Sequence, residues 1–443
     1  MLQPVIVPRR KPLRVPGRYR ARRMPIPANV AAILSALRFH DGHTEILRRM
    51  GDSQWQDLFS RWEISRLLIP LRQRCGDQLP EWVRTRIDRN LADNAERFEQ
   101  IKKTYWAFVG AVRDTKAEHV VIKGFAQWPV FIEHPRFRLQ SDIDVYCPEQ
   151  SIPHALAALY QLGYEPGDSG TVDHLPAMVS KTPWTWRGNP YDPNIPVSFE
   201  LHFCFWSESF SRLRPKGLDQ FWLRRIEQHL DGLDFPALAP VDNLAYSALN
   251  VLRNMLSGEM TPHLVYELAR FLDTNAADEP FWQTWQELHD GSLRRLEAIS
   301  FRLARHSFGC LLSERVREEI DRQPAAIQGW FQAFGDSLLG ESSRPNKDVL
   351  WLHMSMLESS RDRRAILPIL VKRLCPTRLP PAERSFIRAT VGGGEESGGT
   401  LRKCLRYGFY VAGRSVYHAR LLPTTLWHVV RLWWSTTELG RDF

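Results

Sequence analysis

The chain has 443 residues, of which 43% are hydrophobic and 25% charged, with a formal net charge of +9; this is the composition of a globular protein with packed cores in two or three domains. No run of about 18 uncharged apolar residues occurs, and Met1–Pro8 leads straight into Arg9, Arg10 and Lys11, so neither a membrane-spanning helix nor a secretory signal is expected. Six scattered cysteines without CxxC spacing argue against a zinc site or a disulfide framework and point to reduced thiols in a cytoplasm.

Residues 1–28 carry eight Lys and Arg among prolines, with no acidic residue before Asp41, and read as a solvated, disordered basic arm. From Asn29 to about 94, apolar residues recur at helical spacing: Ile33, Leu34, Leu37, then Ile46, Leu47, Met50, then Trp55, Leu58, Phe59, Trp62. A charged amphipathic helix is predicted from about Pro80 to Asp114, with Phe98, Ile101, Tyr105, Phe108 and Val109 on one stripe. The period then changes. His119–Ile122 reads as a strand stopped by the Lys123-Gly124 turn, Phe125–Ile132 as a helix, and Ile143–Cys147 as a second strand. Ser151–Leu162 is a predicted helix, with Pro153 in its first turn and Gly163 past its end. Val197–Phe205 alternates apolar with polar residues, which is strand periodicity. Strands mixed with helices over 95–235 predict an α+β core with a small mixed sheet, between a helical N-terminal part and a larger helical domain at 236–377. Gly392–Gly399 is a linker within a basic, aromatic-rich tail, 378–443. The 16 Trp residues mostly share helical apolar stripes and read as core rather than as base-stacking platforms. The apolar run Leu421–Trp434 reads as packing on the helical domain or a partner, ahead of peripheral membrane contact.

The chemistry sits in three segments: Val120 to Ala126 (VVIKGFA), Arg138 to Tyr146 with its D-x-D, and Phe199 to His202 (FELH). Asp142 and Asp144, two apart on a strand, project from one face. Two carboxylates that close repel each other, which a cation between them relieves. All-oxygen ligation suits Mg²⁺, bound through one or two carboxylates plus substrate phosphates. Glu200, at an outward position of another strand, offers a third carboxylate for a site with two ions roughly 3.5–4 Å apart. Lys123 and Arg138 are cations placed for phosphate oxygens, and Gly124 lets a phosphate approach the backbone. His202 lies two residues from Glu200 on the same strand face, where it can orient that carboxylate or a phosphate.

This pattern resembles the DNA-polymerase-β-like nucleotidyltransferase superfamily: a strand ending in a glycine turn, a D-x-D strand, and a third acid on a later strand. More narrowly it is similar to the bacterial family of uncharacterised nucleotidyltransferases, with an L-K-G-x-A segment matched by Ile122-Lys123-Gly124-Phe125-Ala126, an R-x-x-x-D-x-D-L segment matched by Arg138–Val145, and an acidic-x-H pair matched by Glu200-Leu201-His202. The likeness covers roughly 95–375. It implies a metal-dependent transfer of a nucleoside monophosphate from an NTP, with ATP favoured. Asp142, Asp144 and Glu200 would hold two Mg²⁺ (or Mn²⁺) ions, and Lys123, Gly124, Arg138 and His202 would bind the nucleotide. The acceptor is an unidentified small molecule, peptide or protein, and such enzymes often serve a biosynthetic cluster. Nucleic acid is not the expected partner, and the sequence fixes no oligomeric state. Phe125 stands where the superfamily commonly has Ser, and the third acid is Glu rather than Asp. Glu267 lies where relatives tend to have an acid, and reads as structural. The competing readings are a D-x-D glycosyltransferase using a nucleotide sugar and a catalytically degenerate domain that binds a nucleotide or a partner.

Overall fold

The computed structural model describes residues 26–167, 173–185, 189–257, 260–335, 339 and 348–374, and the single positions 412, 416, 419, 423 and 427. The basic arm, but for its last residues, and all of the C-terminal tail but those five positions therefore lie outside the described residues.

A seven-stranded mixed sheet carries the site. Its strands are β1 Val120–Val121, β2 Asp142–Tyr146, β3 Tyr164–Pro166, β4 Met178–Ser180, β5 Ser198–His202, β6 Ile226–Leu230 and β7 Leu233–Ala237, in the order β3-β4-β5-β2-β1-β7-β6. The central strand β2 pairs parallel with β5 and antiparallel with β1. The sheet and the helices around it form the α+β architecture expected from the sequence.

The long amphipathic helix spans Glu81–Thr115 and ends at Lys116, which takes a left-handed conformation (φ 57°) that closes the last turn. Its stripe of Phe98, Ile101, Tyr105, Phe108 and Val112 packs with Val121, Ile143, Val145, Phe199 and Leu201 in one core, beside the helix Ile152–Gln161. A second, larger core joins the N-terminal helices to the helices after Pro240. Trp55, Trp282, Trp285 and Trp330 are fully buried, as the packing reading of the tryptophans requires.

Two local expectations need correction, and one element was not expected. Phe125–Ile132 is not a helix: Gly124–Gln127 makes one 3-10 turn, and Trp128 is extended (ψ 146°). Pro129 explains this, because proline disfavours helical backbone in the preceding residue. The strand predicted to run to Phe205 pairs only to His202, beyond which Phe205 leaves the ladder to stack on Tyr146, with ring centroids 4.1 Å apart. The hairpin β6–β7 was not foreseen. Leu230 pairs with Leu233 across Asp231 (φ 49°) and Gly232 (φ 78°), a two-residue turn with both central residues at positive φ.

Candidate active site

The parallel register of β2 and β5 builds the site. Asp144 faces Glu200 across the ladder, and Tyr146 faces His202. Side chains two apart on a strand share a face, so Asp142, Asp144, Glu200 and His202 rise from one surface. Ligand atoms of Asp144, Glu200 and His202 all lie within 4.8 Å of one another. His202 Nε2 is 2.9 Å from Asp144 Oδ1 and 3.6 Å from Glu200 Oε2. Lys123 Nζ donates to the same Asp144 oxygen at 2.5 Å. A donor set of two carboxylates and an imidazole, crowded and largely buried, fits a divalent cation.

The two aspartates have opposite electrostatics. Burial penalises the Asp144 charge, but Lys123 and the hydrogen bond from His202 outweigh it and hold this carboxyl well below the usual carboxylate range. Asp142 is pushed up, first by burial and then by the charges of Asp144 and Glu200. Asp142 thus stands within electrostatic reach of the cluster but outside the group of close ligand atoms that Asp144, Glu200 and His202 form.

Gly124 has a reason other than the open phosphate approach the sequence suggested. It adopts φ +64°, and a Cβ there would collide with the Gln140 side chain. Gln140 in turn donates from Nε2 to the Asp142 carbonyl at 2.7 Å. The glycine therefore lets the Lys123 turn press against the D-x-D strand. Gly124→Ala is expected to destabilise the fold by about 1–3 kcal/mol, from left-handed strain plus displacement of Gln140; a denaturant midpoint unchanged from wild type would contradict this. Phe125, where Ser is common, points away from the carboxylates: it is fully buried between Tyr105 and Phe235, with centroids at 5.3 and 4.8 Å.

Arg138 is held by Glu267 of the helix Pro262–Thr274 (Nε to Oε1, 2.9 Å), and both side chains are nearly buried. A small cavity beside the carboxylates is lined by Lys123, Gln127, Arg138, Tyr246, Asn250 and Glu267. Tyr246 and Asn250 come from the helix Pro240–Ser257, four residues apart on one face, so helices after the sheet wall the site. The Tyr246 hydroxyl is buried without a hydrogen-bond partner among the described residues and feels the charges of Asp144 and Glu200.

Sequence reasoning missed Arg97, Asp173 and Tyr246. Arg97 is fully buried on the long helix and donates to the carbonyls of Gln140 (2.6 Å), Ile195 (2.7 Å) and Ser141 (3.0 Å), so it pins the segments entering β2 and β5. Its signal was present: Arg97 falls on the buried stripe of its helix, where a cation needs polar partners.

A family model described as an uncharacterised nucleotidyltransferase matches residues 53–309, which include every side chain of this site. No curated protein and no solved structure matches the chain.

Proposed function

Because the chain belongs to the uncharacterised nucleotidyltransferase family, we propose that it moves a nucleoside monophosphate, with ATP the favoured donor, onto a hydroxyl of a small-molecule, peptide or protein acceptor. The observation that carries this reading is the pairing of Asp144 with Glu200 on adjacent parallel strands beside Lys123. The order of motifs supports placing the core, 95–235, in the DNA-polymerase-β-like superfamily, with the helical domain 236–377 as the wall against which the acceptor binds.

Asp142, Asp144 and Glu200 are the carboxylates that would hold Mg²⁺ or Mn²⁺, two ions in the full reaction. Divalent cations bound there would neutralise charge on the triphosphate and polarise its phosphoryl oxygens. Lys123 shifts its ammonium from Asp144 toward phosphate oxygens, and Arg138, anchored by Glu267 at the cavity wall, adds a second cation. Glu200 accepts the proton of the acceptor hydroxyl. The freed oxygen attacks the α-phosphorus in line, an O–P bond forms, the bond to the β-phosphate bridge breaks, and pyrophosphate leaves. Positioning and electrostatics account for the rate, as in phosphoryl transfer generally.

Incubating the protein with each of the four NTPs, Mg²⁺ or Mn²⁺ and cell extract, followed by mass spectrometry, tests this. The expected result is an acceptor heavier by a nucleoside monophosphate together with pyrophosphate. Release of a nucleoside diphosphate from a nucleotide sugar, with no pyrophosphate from any NTP, would instead support glycosyl transfer.

A further inference from the structure

A carboxylate site for Mg²⁺ has no use for a buried imidazole with a nitrogen turned into it, because Mg²⁺ takes oxygen ligands in a near-ideal octahedron. This site has one. The His202 side chain is 1% exposed, and its Nε2 stands 2.9 Å from Asp144 Oδ1 and 3.6 Å from Glu200 Oε2, within ligand spacing of both. Its position follows from the strand: two residues after Glu200, it must rise on the same face.

The other side of the ring matters equally. His202 Nδ1 is buried and makes no hydrogen bond among the described residues. The group facing it is Asp173, whose Oδ2 lies 4.0 Å away and whose side chain is 6% exposed. Asp173 is ion-paired with Arg253 of the helix Pro240–Ser257, which holds the carboxylate in the interior. A histidine that ligates a metal through one nitrogen commonly gives the N–H of the other to a carboxylate, which fixes the tautomer and makes the ligand more basic. Carboxylate, imidazole and an opposed pair of carboxylates therefore line up in the order such a site requires. A second imidazole, His174, brings its Nε2 to 3.8 Å from Glu200 Oε2, so nitrogen donors flank Glu200 on the cluster side.

We propose that the divalent cation of this site is bound through His202 Nε2 together with Asp144 and Glu200, with Asp173 as the outer partner of the imidazole, so that the site selects a first-row transition ion over Mg²⁺. Mixed imidazole and carboxylate ligation is the chemistry that makes this selection, since first-row transition ions accept an imidazole ligand whereas Mg²⁺ is bound through oxygen; Mn²⁺ is the weakest binder of that row and so the most stringent probe. The inference rests on the metal-dependent reading above and adds the identity of one ligand and the class of the ion.

The test uses the full chain loaded with Mn²⁺. Electron spin-echo envelope modulation is expected to show ¹⁴N coupling from a directly bound imidazole. Competition is expected to show Mn²⁺ binding at least about tenfold tighter than Mg²⁺. His202→Gln should remove the ¹⁴N signal and shrink that preference to below about threefold, with Mn²⁺ still held by the carboxylates. Asp173→Asn should weaken Mn²⁺ about tenfold and keep the ¹⁴N signal. Mn²⁺ bound by wild type without ¹⁴N coupling, a measurement that needs no variant, would overturn the proposal and leave metal-dependent transfer standing, as would a ¹⁴N signal that persists in folded His202→Gln. Failure to bind any divalent ion, with or without ATP, would sink the metal-dependent reading as well.

Discussion

Asp142→Asn is expected to lower nucleotidyl transfer by at least about 10³-fold, roughly 4 kcal/mol of transition-state stabilisation, and at the same time to raise the thermal stability of the metal-free protein. The two effects share one cause. Burial and the charges of Asp144 and Glu200 raise the Asp142 pKa in the folded state. A carboxyl raised above its unfolded value favours the fold below that unfolded value, and the benefit is lost as pH rises through the folded one. At neutral pH and above, the charge on Asp142 therefore costs stability, which Asn removes. A gain on the order of 1 kcal/mol, about 1 °C in a chain of 443 residues, should appear at pH 8 with chelator present. It should shrink as the pH is lowered toward the ordinary carboxylate range. Differential scanning fluorimetry across pH, read beside an activity assay, checks both halves. Loss of activity with an equal loss of stability would mean that Asp142 is a structural residue.

Arg97→Met should cost about 3–5 kcal/mol of stability, a fall in Tm of roughly 3–5 °C. Met keeps the aliphatic volume but donates nothing, so the carbonyls of Gln140, Ser141 and Ile195 lose the N–H groups that reach them in the interior. Among the described residues no carboxylate forms an ion pair with the guanidinium. Burial pushes its pKa down to about 10, and the distant charges of Asp142 and Asp192 partly restore it. Gln140 and Ser141 immediately precede Asp142, so the variant should also loosen the site: metal affinity should fall even at temperatures where the protein is folded. Chemical denaturation with a matched m-value measures the first effect. A change below about 1 kcal/mol would show that water replaces the guanidinium at no cost.

Much of this site can be read from the chain because its logic is local. The alternation around Glu200 and the D-x-D spacing each fix which side chains share a face, and a strand needs no distant information for that. The long helix was legible for the same reason, through its apolar stripe. What spacing cannot supply is register. Asp142 and Asp144 look equivalent along the chain, and only the parallel pairing of β2 with β5 sets Asp144 opposite Glu200 and leaves Asp142 opposite Ser198. Arg138 illustrates the same limit: its partner, Glu267, lies 129 positions away. The hairpin at Ile226–Ala237 is a different kind of miss, because Asp231-Gly232 between two apolar-containing runs is a local turn signal that can be read directly. The helix expected at Phe125–Ile132 does not form because Pro129 disfavours helical backbone at Trp128, which overrides the apolar pattern.

The most direct test is to follow the phosphorus. The full chain would be incubated with ATP labelled at the α- or the γ-phosphate, a divalent ion and cell extract. The account predicts that α-label becomes covalently attached to an acceptor while γ-label appears only in pyrophosphate, and that both disappear with chelator or in Asp144→Asn. Transfer of γ-label to the acceptor, or transfer that survives Asp144→Asn, would contradict it.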